Sequence, residues 1–209
     1  LGVDETDAAV GVRIDADVGV SNPDGTGFGN GSITLALAGA TSDDFFSIQP
    51  INGVSLSAGA FGAGTQISVG GTLVGTVSAV AGEDGQAGND LVIDLEATAT
   101  DAQVRSILRN LEYRSTDVTP DGVARDLTYT IIDAEGENNG GQTIALTVNP
   151  VVQAPVISSL DGSLTVSETA SIAGVRIDGD VLVSNADGTG FGNGSITLSL
   201  TGATADDFL

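Results

Sequence analysis

The chain has 209 residues and sets 28 Asp and Glu against six basic residues, all Arg, for a formal charge of −22. That balance excludes nucleic acid and anionic membrane surfaces as expected partners, because phosphate recognition needs clustered cations. The lack of His, Cys and Lys removes the usual general bases, thiol nucleophiles and Schiff-base chemistry. With no Trp to stack a sugar, a glycosidase is not expected either, so the chain reads as no enzyme.

In chain order the apolar residues alternate in Val10 to Ile14, Ser32 to Leu37, Gln66 to Val69, Leu73 to Val77 and Leu91 to Leu95. Period-two alternation bounded by Gly, Asn and Asp predicts strands with one buried face. Thr100-Asp-Ala-Gln103 has the form of a capping box, and Val104, Ile107, Leu108 and Leu111 follow at helical spacing, which predicts one short helix from Asp101 to Arg109. Its Arg105 and Arg109 are expected on the solvent face. Glu112 to Ser115 resumes the strand pattern, and Leu127 to Ile132 and Thr143 to Val148 face each other across a Gly/Asn-rich turn. Tyr113 and Tyr129 are expected in the core with their hydroxyls bonded to backbone. The fold class expected is all-β, an antiparallel β-sandwich of cadherin or immunoglobulin type with one short helix. No apolar run approaches the roughly 18 residues of a membrane span, so no membrane insertion is expected.

Residues 1–45 return as residues 164–208 at a constant offset, with 33 positions identical. A period of this size is a whole domain, so the expected architecture is a tandem array of beads. The boundaries expected are a complete repeat at 1–150, a Pro-containing linker at 151–155 and the N-terminal part of a near-identical repeat at 156–209. Lacking an initial Met or leader, and stopping inside a copy, the chain is expected to belong to a longer protein. Glycine-rich, acidic and free of Cys and Lys, it suits export from a bacterial cell and folding outside it, where divalent cations neutralise carboxylates.

Ala154-Pro-Val-Ile-Ser-Ser-Leu-Asp161, Val166-Ser-Glu168-Thr and the loop Asp187-Gly-Thr-Gly-Phe-Gly-Asn-Gly-Ser-Ile-Thr-Leu198 occur in order. Together with Ala102 to Tyr113 and Leu127 to Gly136, they resemble the repeated domains of giant bacterial surface proteins and adhesins exported by type I secretion. Those repeats are cadherin-like and similar to the chondroitin-sulfate-proteoglycan repeat. The resemblance implies a structural spacer, often calcium-binding, in a cell-surface or secreted fibre. Where such loops carry Asp-Ala-Asp and Phe-Asp-Gly-Gly, this chain has Asn22-Pro-Asp24 and Phe28-Gly-Asn30-Gly, which lowers the ligand charge.

Calcium takes six to eight oxygens gathered by loops. The candidate ligands near strand ends are Glu5, Asp15, Asp17, Asn22, Asp24, Asn30, Asp133, Glu135 and Glu137, with Glu168, Asp178, Asp180, Asn185, Asp187 and Asn193 in the second copy. Asp133 and Glu135 are expected near Glu168, where an ion between repeats would stiffen a fibre. The expected cofactor is Ca²⁺, and the expected partners are neighbouring repeats and other copies in a fibre. Three functions are open at this stage: the stalk of an adhesin, a self-assembling filament, sheath or matrix protein, and a carbohydrate-binding module. Near-identical neighbours also raise the prospect of strand exchange.

Overall fold

The computed structural model describes residues 1–23, 25, 27–57, 59–171, 173–185, 187 and 190–208, and divides into two units, Leu1–Val151 and Val152–Leu209. The first unit is a β-sandwich. Its strands are β1 (Gly2–Asp4), β2 (Val12–Arg13), β3 (Ser32–Leu37), β4 (Asp44–Ile48), β5 (Val54–Leu56), β6 (Gln66–Val69), β7 (Thr72–Val77), β8 (Leu91–Leu95), β9 (Leu111–Ser115), β10 (Arg125–Ile132) and β11 (Gln142–Asn149). One sheet runs β1-β11-β10-β3-β8-β7-β6-β5 and the other β2-β9-β4. All ladders of this unit are antiparallel except β1 with β11, which run parallel with Gly2 opposite Thr147 and Asp4 opposite Asn149.

The strand pattern follows from the alternation. In β3 the residues Ile33, Leu35 and Leu37 are buried and Ser32, Thr34 and Ala36 are half-buried. β3 sits between β10 and β8, with Leu35 opposite Tyr129 and Ile33 opposite Ile93. The smaller sheet faces it through Phe46, Ile48, Leu111 and Tyr113, and the rings of the cross-strand pair Phe46 and Tyr113 lie 6.1 Å apart. Cross-strand aromatic pairs of this kind add to simple area burial.

A polar bridge joins the sheets. Asp44 on β4 is buried, and Arg125 on β10 grips it with two bonds of 2.7 and 2.9 Å. The Tyr113 hydroxyl donates to Asp44 Oδ1 at 2.5 Å and accepts from Arg125 Nη2 at 2.9 Å, while Thr41 N–H donates to Asp44 Oδ2 at 2.7 Å. Burial alone would raise the Asp44 carboxyl, but bonds from Arg125, Tyr113 and Thr41 outweigh it and hold the group below its ordinary value. Burial, then the bond to Asp44, pushes the Tyr113 phenol up to about 12. Tyr113 therefore bonds a carboxylate and not backbone, and the buried Tyr129 hydroxyl has no partner among the described residues.

Helix α2 (Asp101–Leu108) forms where the capping box predicts it, with Gln103 N–H donating to Thr100 Oγ1 and Thr100 N–H to Gln103 Oε1. Val104, Ile107 and Leu108 are its buried face. Arg109 is not simply solvated: Nε donates to Val18 O at 2.9 Å and Nη2 to Asp17 O at 3.2 Å, pinning the segment ahead of the glycine loop. Two further helices accompany it, α1 (Glu5–Val10) and, in the second unit, α3 (Glu168–Ser171). α1 takes Val10 from the strand expected at Val10 to Ile14. Glu5 and Ala8 turn inward, and Gly11 at φ 109° ends the helix by donating to Asp7 O, leaving only Val12 and Arg13 for β2.

In the second unit β12 (Val156–Ser158) pairs antiparallel with β13 (Leu182–Ser184). Local motifs recur there bond for bond. Asp17 N–H donates to Asp15 Oδ1 and Asp180 N–H to Asp178 Oδ1, both at 3.0 Å. Asn22 Nδ2 donates to Gly27 O and Asn185 Nδ2 to Gly190 O; Thr41 N–H donates to Asp44 and Thr204 N–H to Asp207. Long-range structure does not recur. Ser195 to Leu200 repeats most of the β3 sequence without strand pairing, and Ile196 is 91% exposed where Ile33 is 1% exposed. β3 depends on β8 and β10, and the residues of this unit include no counterpart of either. Ile33→Val should accordingly cost about 1 kcal/mol in urea unfolding of dilute protein, while Ile196→Val leaves the midpoint unchanged.

Candidate metal centre

Glu5 opens α1 and is buried, and its Oε2 accepts from Val151 N–H at 3.2 Å, so it fastens the end of the first unit. Asn22 and Asp133 meet: Asn22 Nδ2 donates to Asp133 Oδ2 at 3.2 Å, and Asn22 N–H donates to Asp101 Oδ2 at 3.1 Å. Asp133 is 9% exposed, and its Oδ1 accepts from Glu135 N–H at 3.0 Å and Glu137 N–H at 2.9 Å. These bonds make Asp133 the organiser of the turn after β10. Glu135 is exposed on that turn, and Asn30 is an exposed residue at φ 58° in the glycine loop. Asp24 and the side chain of Glu168 lie outside the described residues.

Asp15 lines a cavity of about 710 Å³ together with Val18, Gly19, Phe28, Tyr129 and Asp133. Burial first, and the Asp15 charge second, push the Tyr129 phenol well above its ordinary value. Asp17 is exposed, and its carbonyl is held by Arg109.

The second unit brings carboxylates together. Asp161, Asp178 and Asp180 each place an oxygen within 4.8 Å of the others, and among the described residues this is the group of three or more acidic, His or Cys side chains spaced to hold a metal. Asp178 Oδ2 accepts from Asp161 N–H at 2.9 Å, and its Oδ1 accepts from Asp180 and Val181 N–H, both at 3.0 Å. The bonds from Asp161 and then Asp180 hold the Asp178 carboxyl below its ordinary value. Hard oxygen donors at this spacing suit calcium or magnesium over softer metals. Asp187 stands apart from this group: its Oδ1 accepts from Gln153 N–H at 2.9 Å, tying the connector to the second loop.

Asp161 is the member that reading from strand ends misses. The signal for it is the Leu160-Asp-Gly162 turn, which follows β12 and is returned to Asp178 by a reversal of the chain.

No family model matches this chain, and comparison with curated proteins and with solved structures finds no match. Among the described residues, no helix is long and apolar enough to cross a membrane.

Proposed function

We propose that this chain is a structural repeat of a long extracellular bacterial adhesin or fibre, cadherin-like in its tandem arrangement, that acts as a spacer stiffened by calcium. The observation that carries the reading is a match of scale. The sequence repeats with an offset of 163 residues, and the β-sandwich unit occupies Leu1–Val151, so one period holds one domain and a short connector. A chain built this way extends by adding domains, and its function is the length and stiffness of the string. The residue inventory, without His, Cys or Lys, fits a part with no catalytic role.

Asp161, Asp178 and Asp180 supply the proposed calcium ligands, directly after the Pro150 to Pro155 connector. An ion there would order the start of a repeat beside the joint. The test is unfolding and binding of the 209-residue chain in 1 mM calcium and in chelator. A site filled at about a hundred times its dissociation constant adds about 2.7 kcal/mol to whatever it binds, which should appear as a calcium-dependent rise in melting temperature that Asp178→Asn abolishes. Equal melting with calcium and chelator, together with no heat of calcium binding, would reduce these carboxylates to solubilising charge.

A further inference from the structure

Gly19 stands between Val18 and Val20, and a Cβ added to it would meet nothing within 4 Å. The space it leaves belongs to the cavity of about 710 Å³, a size in the range of small-molecule sites. Part of the wall is apolar, made by Val18, Phe28, Leu108, Ile131 and Ile144. The charged part is acidic throughout: Asp15, Asp133 and Glu137 line it, and none of the six arginines does.

Tyr129 adds an unmet hydrogen bond. It lines the cavity from the buried face of β10, between Leu127 and Ile131, and is 7% exposed. Its hydroxyl is buried without a partner among the described residues, although a buried phenol ordinarily finds one. Asp15 is the charge that acts on this phenol, so the hydroxyl end of the ring lies toward the Asp15 side of the cavity. Asp15 is itself only half engaged. Its Oδ1 accepts from Asp17 N–H at 3.0 Å, and its Oδ2 accepts no bond among the described residues.

We propose that this cavity is a binding site for a primary ammonium carried on an apolar body, with the ammonium set between Asp15 Oδ2 and the Tyr129 hydroxyl and the body against Phe28, Leu108 and Ile144. An ammonium has three donors and no acceptor, which suits a wall of oxygens that do not bond one another. A neutral alcohol of the same shape would leave the acidic charge uncompensated. A single metal ion is a poorer fit, because Asp15, Asp133 and Glu137 do not gather at ligand spacing as Asp161, Asp178 and Asp180 do. Asp133 also spends its oxygens on Asn22, Glu135 and Glu137. The site lies within the first unit and is separate from the acidic group proposed for calcium.

The two tyrosines of the chain give a site signal and a control in NMR spectra. Tyr129 lines the cavity, whereas Tyr113 is bonded to Asp44 and does not. The 209-residue chain is titrated with phenethylammonium chloride, with its neutral isostere 2-phenylethanol, and with calcium chloride. Phenethylammonium should shift the Tyr129 ring signals saturably and leave those of Tyr113 in place, and the alcohol should bind at least about ten-fold more weakly. Asp15→Asn keeps the Oδ1 acceptor for Asp17 N–H and should weaken binding about ten-fold. Gly19→Leu, the residue found at the equivalent position 182, should fill the cavity and abolish binding while Tyr113 keeps its native signals. Nα-acetyl-lysine methylamide separates the sources: binding comparable to phenethylammonium assigns the site to a lysine side chain of a partner, and none assigns it to a free amine. The proposal is overturned by the absence of a saturable shift, by equal binding of the alcohol, or by a Gly19→Leu chain that still binds. Calcium alone moving the Tyr129 signals and displacing the amine would overturn it as well, in favour of a metal.

Discussion

Asp44→Ala should destabilise the first unit by about 3 to 5 kcal/mol, the range for removing one partner of a buried ion pair. The loss has three parts. Arg125 is left half-buried without its carboxylate, the Tyr113 hydroxyl loses its acceptor, and the Thr41 to Asp44 turn loses its closing bond. Because Arg125 belongs to the large sheet and Asp44 and Tyr113 to the small one, the damage falls on the contact between sheets. The pH dependence has a definite sign. Asp44 has a depressed pKa in the folded state, so the stability it contributes is present above the unfolded value of about 4 and is lost as pH falls through the folded pKa. Urea midpoints measured from pH 7 down to pH 2 should fall on the acid side for the native chain. Asp44→Asn should start lower at pH 7 and show a shallower acid limb. Parallel curves for the two proteins would mean that other carboxylates carry the acid sensitivity.

Gly31→Ala should cost at least about 3 kcal/mol, above the ordinary range for one added methyl, because backbone and not a movable side chain stands in the way. A Cβ on Gly31 would lie 2.0 Å from the Ile132 carbonyl oxygen, and one on Gly29 would lie 2.1 Å from that of Ala97. The loop passes between the end of β10 and the chain beyond β8, and only glycine permits the approach. This accounts for Phe28-Gly-Asn-Gly31 as a packing device that introduces β3. Gly19→Ala is the control, since nothing lies within 4 Å of its added Cβ. It should leave the urea midpoint unchanged, while Gly31→Ala shifts it far toward lower denaturant. A small shift for both would show that the loop yields without loss of β3.

What the sequence made legible follows the range of the interactions involved. Alternation located β3, β6, β7, β8, β10 and β11, and the Thr100 to Gln103 box located α2, because each signal is contained in the element itself. β4 escaped notice although Asp44, Phe46 and Ile48 form a regular buried face. A carboxylate on that face resembles a turn until Arg125, 81 residues away, is set beside it. β1 has only three residues, and its parallel pairing with β11 carries no local mark. α1 was not anticipated, because Glu5 and Ala8, which set its inward face, precede the alternating run of Val10 to Ile14, and it shortens that run by taking Val10. The candidate ligands divided in the same way. The bond of Asp15 to Asp17 N–H, and of Asp178 to Asp180 N–H, belongs to the local sequence and forms in both copies. The pairing of Asn22 with Asp133 and the approach of Asp161 to Asp178 needed the chain folded.

The parallel ladder of β1 and β11 has a mechanical consequence. The ladder joins Gly2–Asp4 to Thr147, Val148 and Asn149, so the first residues of the unit lie beside its last strand and point the same way. When the unit is pulled by its two ends, β1 is drawn backward while β11 is drawn forward, and the load runs along the strands. The bonds between them, together with that from the Leu1 amino group to Ala145 O, are then strained in shear and must give way together, not unzip one by one. A domain joined to its neighbours through such a clamp resists tension out of proportion to the three residues that form it.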